Sequence, residues 1–124
     1  MACTNPTTVA RYDIEIVAGN SKTIPITFYE DAAKVNPLDL TGSTIIFRAV
    51  WDGGSLSKSS PSSGITISDP TTGAISIALT VANSRALPEG KVAKYEIERR
   101  IGGAETTLLL GYLNVVNWGA NDDA

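Results

Sequence analysis

No histidine occurs among the 124 residues. That excludes Ser-His-Asp and Cys-His nucleophilic catalysis and histidine-ligated metals, since each needs an imidazole to move a proton or hold the ion. Cysteine is reduced to Cys3, so no internal disulfide can form, and without an imidazole to activate it the thiol reads as incidental. Charge is sparse: Asp, Glu, Lys and Arg make up 19% of the chain, against about a quarter in ordinary domains. Thirteen acids and ten bases leave a net charge of −3, and no basic run exceeds Arg99-Arg100. A surface that tracks phosphates needs clustered Lys and Arg, so nucleic acid is not an expected partner. No apolar run approaches the roughly 18–20 residues of a membrane-spanning helix, and the first residues lack the charged and apolar segments of a signal peptide. The expectation is synthesis in a cytosol and no membrane partner.

What is present suits one folded domain. The hydrophobic fraction is 43%, and a chain this long buries about two-thirds of its unfolded surface. Ser, Thr, Asn and Gly fill the polar positions that charges leave, which suits packing against other proteins. The most strongly patterned stretch is residues 91–117. Ala93, Tyr95 and Ile97 share one parity and Lys94, Glu96, Glu98 and Arg100 the other, the alternation of a half-buried strand. After Gly102-Gly103, Leu108, Leu110 and Tyr112 alternate with Leu109, Leu113 and Val115, so this second strand should be central or covered on both faces.

Residues 1–9 read as an arm without intrinsic structure, ordered only by a neighbour. Tyr12, Ile14 and Ile16 predict a first strand, Gly19-Asn20 a hairpin turn, and Ile24, Ile26 and Phe28 a second strand whose Pro25 marks an edge. Leu38 and Leu40 should tuck under the sandwich, and residues 43–51 should form an inner strand. Residues 52–64, rich in Gly and Ser, read as a mobile loop or β-arm and as the insertion best placed to reach a partner. Ile65 and Ile67, the turn from Asp69 to Gly73, and Ile75, Ile77 and Leu79 give a meander. Residues 80–90 break the period of two and predict a short helical crossover ending before Pro88. Residues 10–118 are thus expected to form an all-β antiparallel sandwich of about seven strands, followed by a polar tail at 119–124.

The pattern resembles the immunoglobulin-like domain of tailed-bacteriophage structural proteins, the type at the N-terminus of baseplate upper proteins and in related tail-fibre and head-accessory proteins. The residues that carry the likeness are Gly19, the run Leu38-Asp39-Leu40-Thr41-Gly42, Asp69 through Gly73, Leu87 and Gly90 leading into Tyr95-Glu96-Ile97-Glu98, and Leu109-Leu110-Gly111 followed by Val115. Gly111 should make a bulge or admit an aromatic such as Tyr95 or Trp51. None of these motifs is catalytic. Fibre-base members continue into a shaft or receptor-binding module, whereas here the sequence ends close after the last strand, which shifts the expectation towards a free-standing accessory of capsid or tail.

The remaining chemistry is thin. Asp13/Glu15 and Glu96/Glu98 stand on outward strand faces, where solvated charges opposite Arg48, Lys94 or Arg100 explain them, and Asp122/Asp123 lie on the tail. Asp69 with Thr71 or Thr72, or Asp122-Asp123, offers oxygens to calcium, but the spacing matches no recognised loop and a turn is favoured. Most aromatics fall on core parities; Tyr29 and Trp118, at strand ends, are left as contact candidates. No enzyme, no metal and no cofactor is expected. The expected function is a bacteriophage virion structural protein, a capsid decoration or cement protein or a tail-baseplate protein. It would be assembled in the host cytoplasm, homo-oligomeric, and docked on major capsid or tail proteins through Thr4, Asn5, Pro6, Tyr29, Leu56, Lys58 and Trp118. The alternative is a host glycan- or receptor-binding module of a phage tail.

Overall fold

The computed structural model describes residues 10–30, 36–61 and 63–117. Two sheets face each other. The six-stranded sheet runs β1–β9–β8–β4–β5 with β2 also on β9, and the three-stranded sheet runs β3–β7–β6. The strands are β1 (Ala10–Arg11), β2 (Ile14–Val17), β3 (Lys22–Thr27), β4 (Thr44–Trp51), β5 (Gly54–Ser59), β6 (Ile65–Asp69), β7 (Ala74–Leu79), β8 (Gly90–Ile101) and β9 (Ala104–Val116). This is the strand order of an immunoglobulin-like sandwich: β3, β7 and β6 take the B, E and D places, β9, β8, β4 and β5 the G, F, C and C′ places, and β1 with β2 forms a split first strand beside G.

Alternation in sequence becomes the inner face. Phe47, Ile45, Ile97, Leu113, Ile65, Ile77 and Leu40 are fully buried, and each such side chain contributes about 1.5–3 kcal/mol relative to an exposed position. Phe47 on β4 stacks on Tyr95 of β8, with ring centroids 5.6 Å apart. The long hairpin forms as expected, β8 and β9 joined at Gly102-Gly103, with Ala93, Tyr95 and Ile97 buried. β9 is central, flanked by β8 and by β1 and β2. The crossover helix α1 (Val81–Ala86) carries a capping box: Asn83 N–H donates to Thr80 Oγ1 at 3.1 Å and Thr80 N–H to Asn83 Oδ1 at 2.9 Å. Its wholly buried Ser84 accepts a hydrogen bond from Gly19 N–H at 3.0 Å, fastening the helix to the loop after β2.

Four expectations are corrected. Gly19-Asn20 is a turn, with Gly19 at φ 89°, but it does not close a hairpin. β2 pairs with β9 and β3 with β7, so the connection passes from one sheet to the other, and the pairing of β1 and β2 with β9 is parallel within an otherwise antiparallel sandwich. Of the two forms read for the Gly/Ser-rich stretch, the loop is the one corrected: residues 54–59 take strand form and pair along β4 at the sheet edge. Gly111 makes no bulge; Tyr95 is its register partner, as expected of a neighbouring aromatic, but the atom a β-carbon there would collide with is the main-chain carbonyl of Tyr12, so the closest approach is of backbone. Tyr12 itself leaves the core parity and is 60% exposed.

Candidate functional site

The expected contact residues divide sharply. Thr4, Asn5, Pro6 and Trp118, like Cys3, the arm and the tail, lie outside the described residues. Tyr29 is 38% exposed and forms an isolated bridge with Pro37 at the mouth of the sandwich. Leu56 and Lys58 do not project from a loop. Both sit on the inner parity of β5, opposite Ala49 and Phe47. Leu56 packs against the rim of the core, and the stem of Lys58 lies against Gly64. They close the side of the sandwich, aliphatic stem inward and ammonium outward. The structure brings these two together at one edge and leaves Tyr29 apart.

A feature the sequence did not single out lies at the opposite edge of the same sheet. β1 and β2 are one strand interrupted at Tyr12-Asp13. Tyr12 N–H donates to Leu110 carbonyl at 3.0 Å, while Tyr12 carbonyl accepts from the Tyr95 hydroxyl at 2.5 Å. Asp13 follows as a hub: Oδ1 accepts from Tyr112 N–H at 3.0 Å and Oδ2 pairs with Lys91 Nζ at 2.9 Å. The Lys91 hydrogen bond, and then the Tyr112 N–H, hold the Asp13 carboxyl below the usual carboxylate range. Burial, with the Asp13 charge nearby, pushes the Tyr95 phenol well above its ordinary value, so it stays a donor. With its backbone pinned on both sides, the Tyr12 side chain turns outwards. Arg11, Tyr12, Asp13, Lys91 and Tyr112 surround an open, shallow depression of about 650 Å³. The sequence did carry one signal, Gly111 in an otherwise bulky strand, but it does not say which neighbour needs the room.

Asp39, Asp69, Glu96 and Glu98 have structural partners. Asp39 Oδ1 accepts from the Thr41 hydroxyl at 2.6 Å and from Thr41 N–H at 2.9 Å, and these bonds, with the Arg99 charge, hold its carboxyl below the usual carboxylate range. Asp69 Oδ1 accepts from Thr71 N–H and hydroxyl at 3.2 and 2.9 Å, capping the 3-10 turn Pro70–Thr72. The oxygen offered to calcium is thus occupied in the turn, the reading favoured from sequence. Glu96 stands opposite Arg48, and Glu98 pairs with Arg100 at 3.0 Å. Among the described residues, no three His, Cys, Asp or Glu side chains gather as a metal site requires.

No family model matches the chain, and no curated protein matches it in sequence. Among solved structures, the chain is similar to one from a structure-based photo-crosslinking study of multimeric cell-adhesive interactions of VGSC beta subunits. That likeness has 17% identity, a TM-score of 0.44, and coverage of 91% of this chain and 98% of the other.

Proposed function

We propose that the chain is a non-enzymatic structural protein of a tailed-bacteriophage virion, an accessory of the capsid or of the tail and baseplate that docks through protein–protein contacts. The resemblance of its turn and strand motifs to phage immunoglobulin-like domains supports the address. The observation that carries the docking is Tyr12: an aromatic that is 60% exposed on a backbone held by Leu110 and Tyr95. A large amphipathic ring with few rotatable bonds, on a backbone already held in place, has little freedom left to lose on binding, and tyrosine recurs among the side chains that dominate interfaces. Arg11 stands beside it, while Lys91 is engaged by Asp13, so the patch is aromatic with a modest positive rim.

The partner class is a major capsid or tail protein, and the test is rebinding. Purified protein should return in stoichiometric amounts to particles stripped of it, and Tyr12→Ala should weaken that rebinding by about 30-fold, the loss of a central aromatic contact. Undiminished rebinding by a folded Tyr12→Ala variant would remove Tyr12 from the interface. A protein that ignores particles but captures host envelope glycan would replace the structural reading with the receptor-binding one.

A further inference from the structure

The depression beside Tyr12 is lined by two bases, Arg11 and Lys91, one acid, Asp13, and two phenols, Tyr12 and Tyr112. Their bonding is uneven. Both carboxylate oxygens of Asp13 are engaged, Oδ1 by Tyr112 N–H at 3.0 Å and Oδ2 by Lys91 Nζ at 2.9 Å. The guanidinium of Arg11 and the hydroxyls of Tyr12 and Tyr112 have no hydrogen-bond or ion-pair partner among the described residues. Arg11 acts on Asp13 only through its charge, and that is the smallest of the influences on the carboxyl. The Lys91 and Tyr112 bonds thus hold Asp13 in contacts that leave Arg11 out.

An unpaired guanidinium presents a planar fork of N–H donors and no acceptor, which suits a carboxylate or a phosphate. Net charge separates the two. Arg11 and Lys91 against Asp13 leave a surplus of one positive charge in the depression. On the neighbouring outward positions Lys94, opposite Tyr112, is offset by Glu15, opposite Asn114. A surplus of one matches a carboxylate and falls short of a phosphorylated side chain, which carries roughly −1.5 to −2.

We infer that Arg11, Tyr12 and Tyr112 form a seat for an aspartate or glutamate side chain of the particle protein. The incoming carboxylate accepts from the Arg11 fork, and the aliphatic stem behind it lies against the two tyrosine rings. Each ring offers an apolar face to the stem and a hydroxyl donor to the acid. A charge-assisted, forked pair of this kind fixes direction as well as strength, so it orients the partner segment where an aromatic contact alone would let it slide. The inference rests on the docking through Tyr12 proposed above and gives that contact its chemistry: the complementary surface is acidic at its centre, not basic or wholly apolar.

The test is rebinding of the full chain to stripped particles, with Tyr12→Ala as the reference. Arg11→Gln removes the charge and no side-chain bond of the fold, and should weaken rebinding about tenfold. Lys22→Gln, at an exposed lysine on β3 of the other sheet, changes the net charge equally and should leave rebinding unchanged. Arg11→Lys keeps the charge and supplies an amine. A carbodiimide activates a carboxyl group, and an amine in contact with it then forms an amide as the urea leaves. On particles so treated, residue 11 of Arg11→Lys should be joined to an aspartate or glutamate of a capsid or tail protein. Rebinding that needs Tyr12 but not Arg11, an equal loss with Lys22→Gln, or a residue 11 joined only to acids of its own chain, Asp122 and Asp123 included, would each overturn the seat and leave the Tyr12 docking standing. A parent chain that ignores particles and captures host glycan would overturn both.

Discussion

The hydroxyl of Tyr95 donates to the main-chain carbonyl of Tyr12, a contact between residues 83 positions apart. It crosses β9 at the position of Gly111, which is the register partner of Tyr95. Glycine at that point lets the first strand come close enough to be reached, and the aromatic ring opposite covers the gap in the side-chain layer. One glycine and one tyrosine thus set where the first strand sits.

Tyr95→Phe keeps the ring and its stacking on Phe47 but removes the donor. The expected loss is about 1 kcal/mol of unfolding free energy in urea, with faster amide exchange at Tyr12 and Tyr112. A stability loss without faster exchange at those amides would mean that the hydroxyl does not hold the first strand.

Gly111→Ala and Gly103→Ala separate two reasons for glycine. At Gly111 the obstacle is the Tyr12 carbonyl, and the overpacked variant should lose about 2–3 kcal/mol. At Gly103, φ is 89° and space is open, so alanine should cost only about 1 kcal/mol of backbone strain. Equal losses in chemical denaturation would contradict this division.

Acid should destabilise the protein through Asp13 and Asp39, whose carboxyls are held below the ordinary range by hydrogen bonds made in the fold. A lowered folded value means that the stabilisation is complete above the unfolded value. It declines as pH falls through the ordinary carboxylate range, and it is gone below the folded value. The midpoint of thermal unfolding, followed from pH 7 downwards, should fall less steeply for Asp13→Asn than for the parent chain. A parallel slope would show that the Lys91 and Tyr112 contacts of Asp13 do not contribute.

Leu40, fully buried beneath the loop that opens β4, should cost about 3 kcal/mol when cut to alanine, since the Leu-Thr-Gly turn cannot collapse into the space. A loss below about 1 kcal/mol in urea denaturation would mean that the loop is not anchored through this side chain.

Much of the sandwich was legible because its strands alternate and its turns carry glycine: the hairpin of β8 and β9, the meander of β6 and β7, and the capped helix follow from local rules. Two errors share a cause. Gly19-Asn20 makes a true turn, yet which strands flank a turn as partners depends on β9 and β7, far along the chain. Residues 54–59 have weak strand propensity, and the unpaired edge of β4 supplies the order that their sequence lacks. Tyr12 was hidden by its parity, which matches Ile14 and Ile16 until the strand breaks at Asp13. In a Gly/Ser-rich stretch Leu56 and Lys58 read as loop residues; at an edge strand the same two side chains face inward.

The parallel seating of β1 and β2 on β9 also bears on synthesis. The first strand emerges from the ribosome long before β9, its one sheet neighbour among the described residues, and it must wait for that partner until residues 104–116 are made. Completion of the larger sheet is therefore a closing event that waits for β9 rather than a progressive one. A nascent chain stalled after β8 would hold the three-stranded sheet and the trio β8–β4–β5, with the patch around Tyr12 still unbuilt.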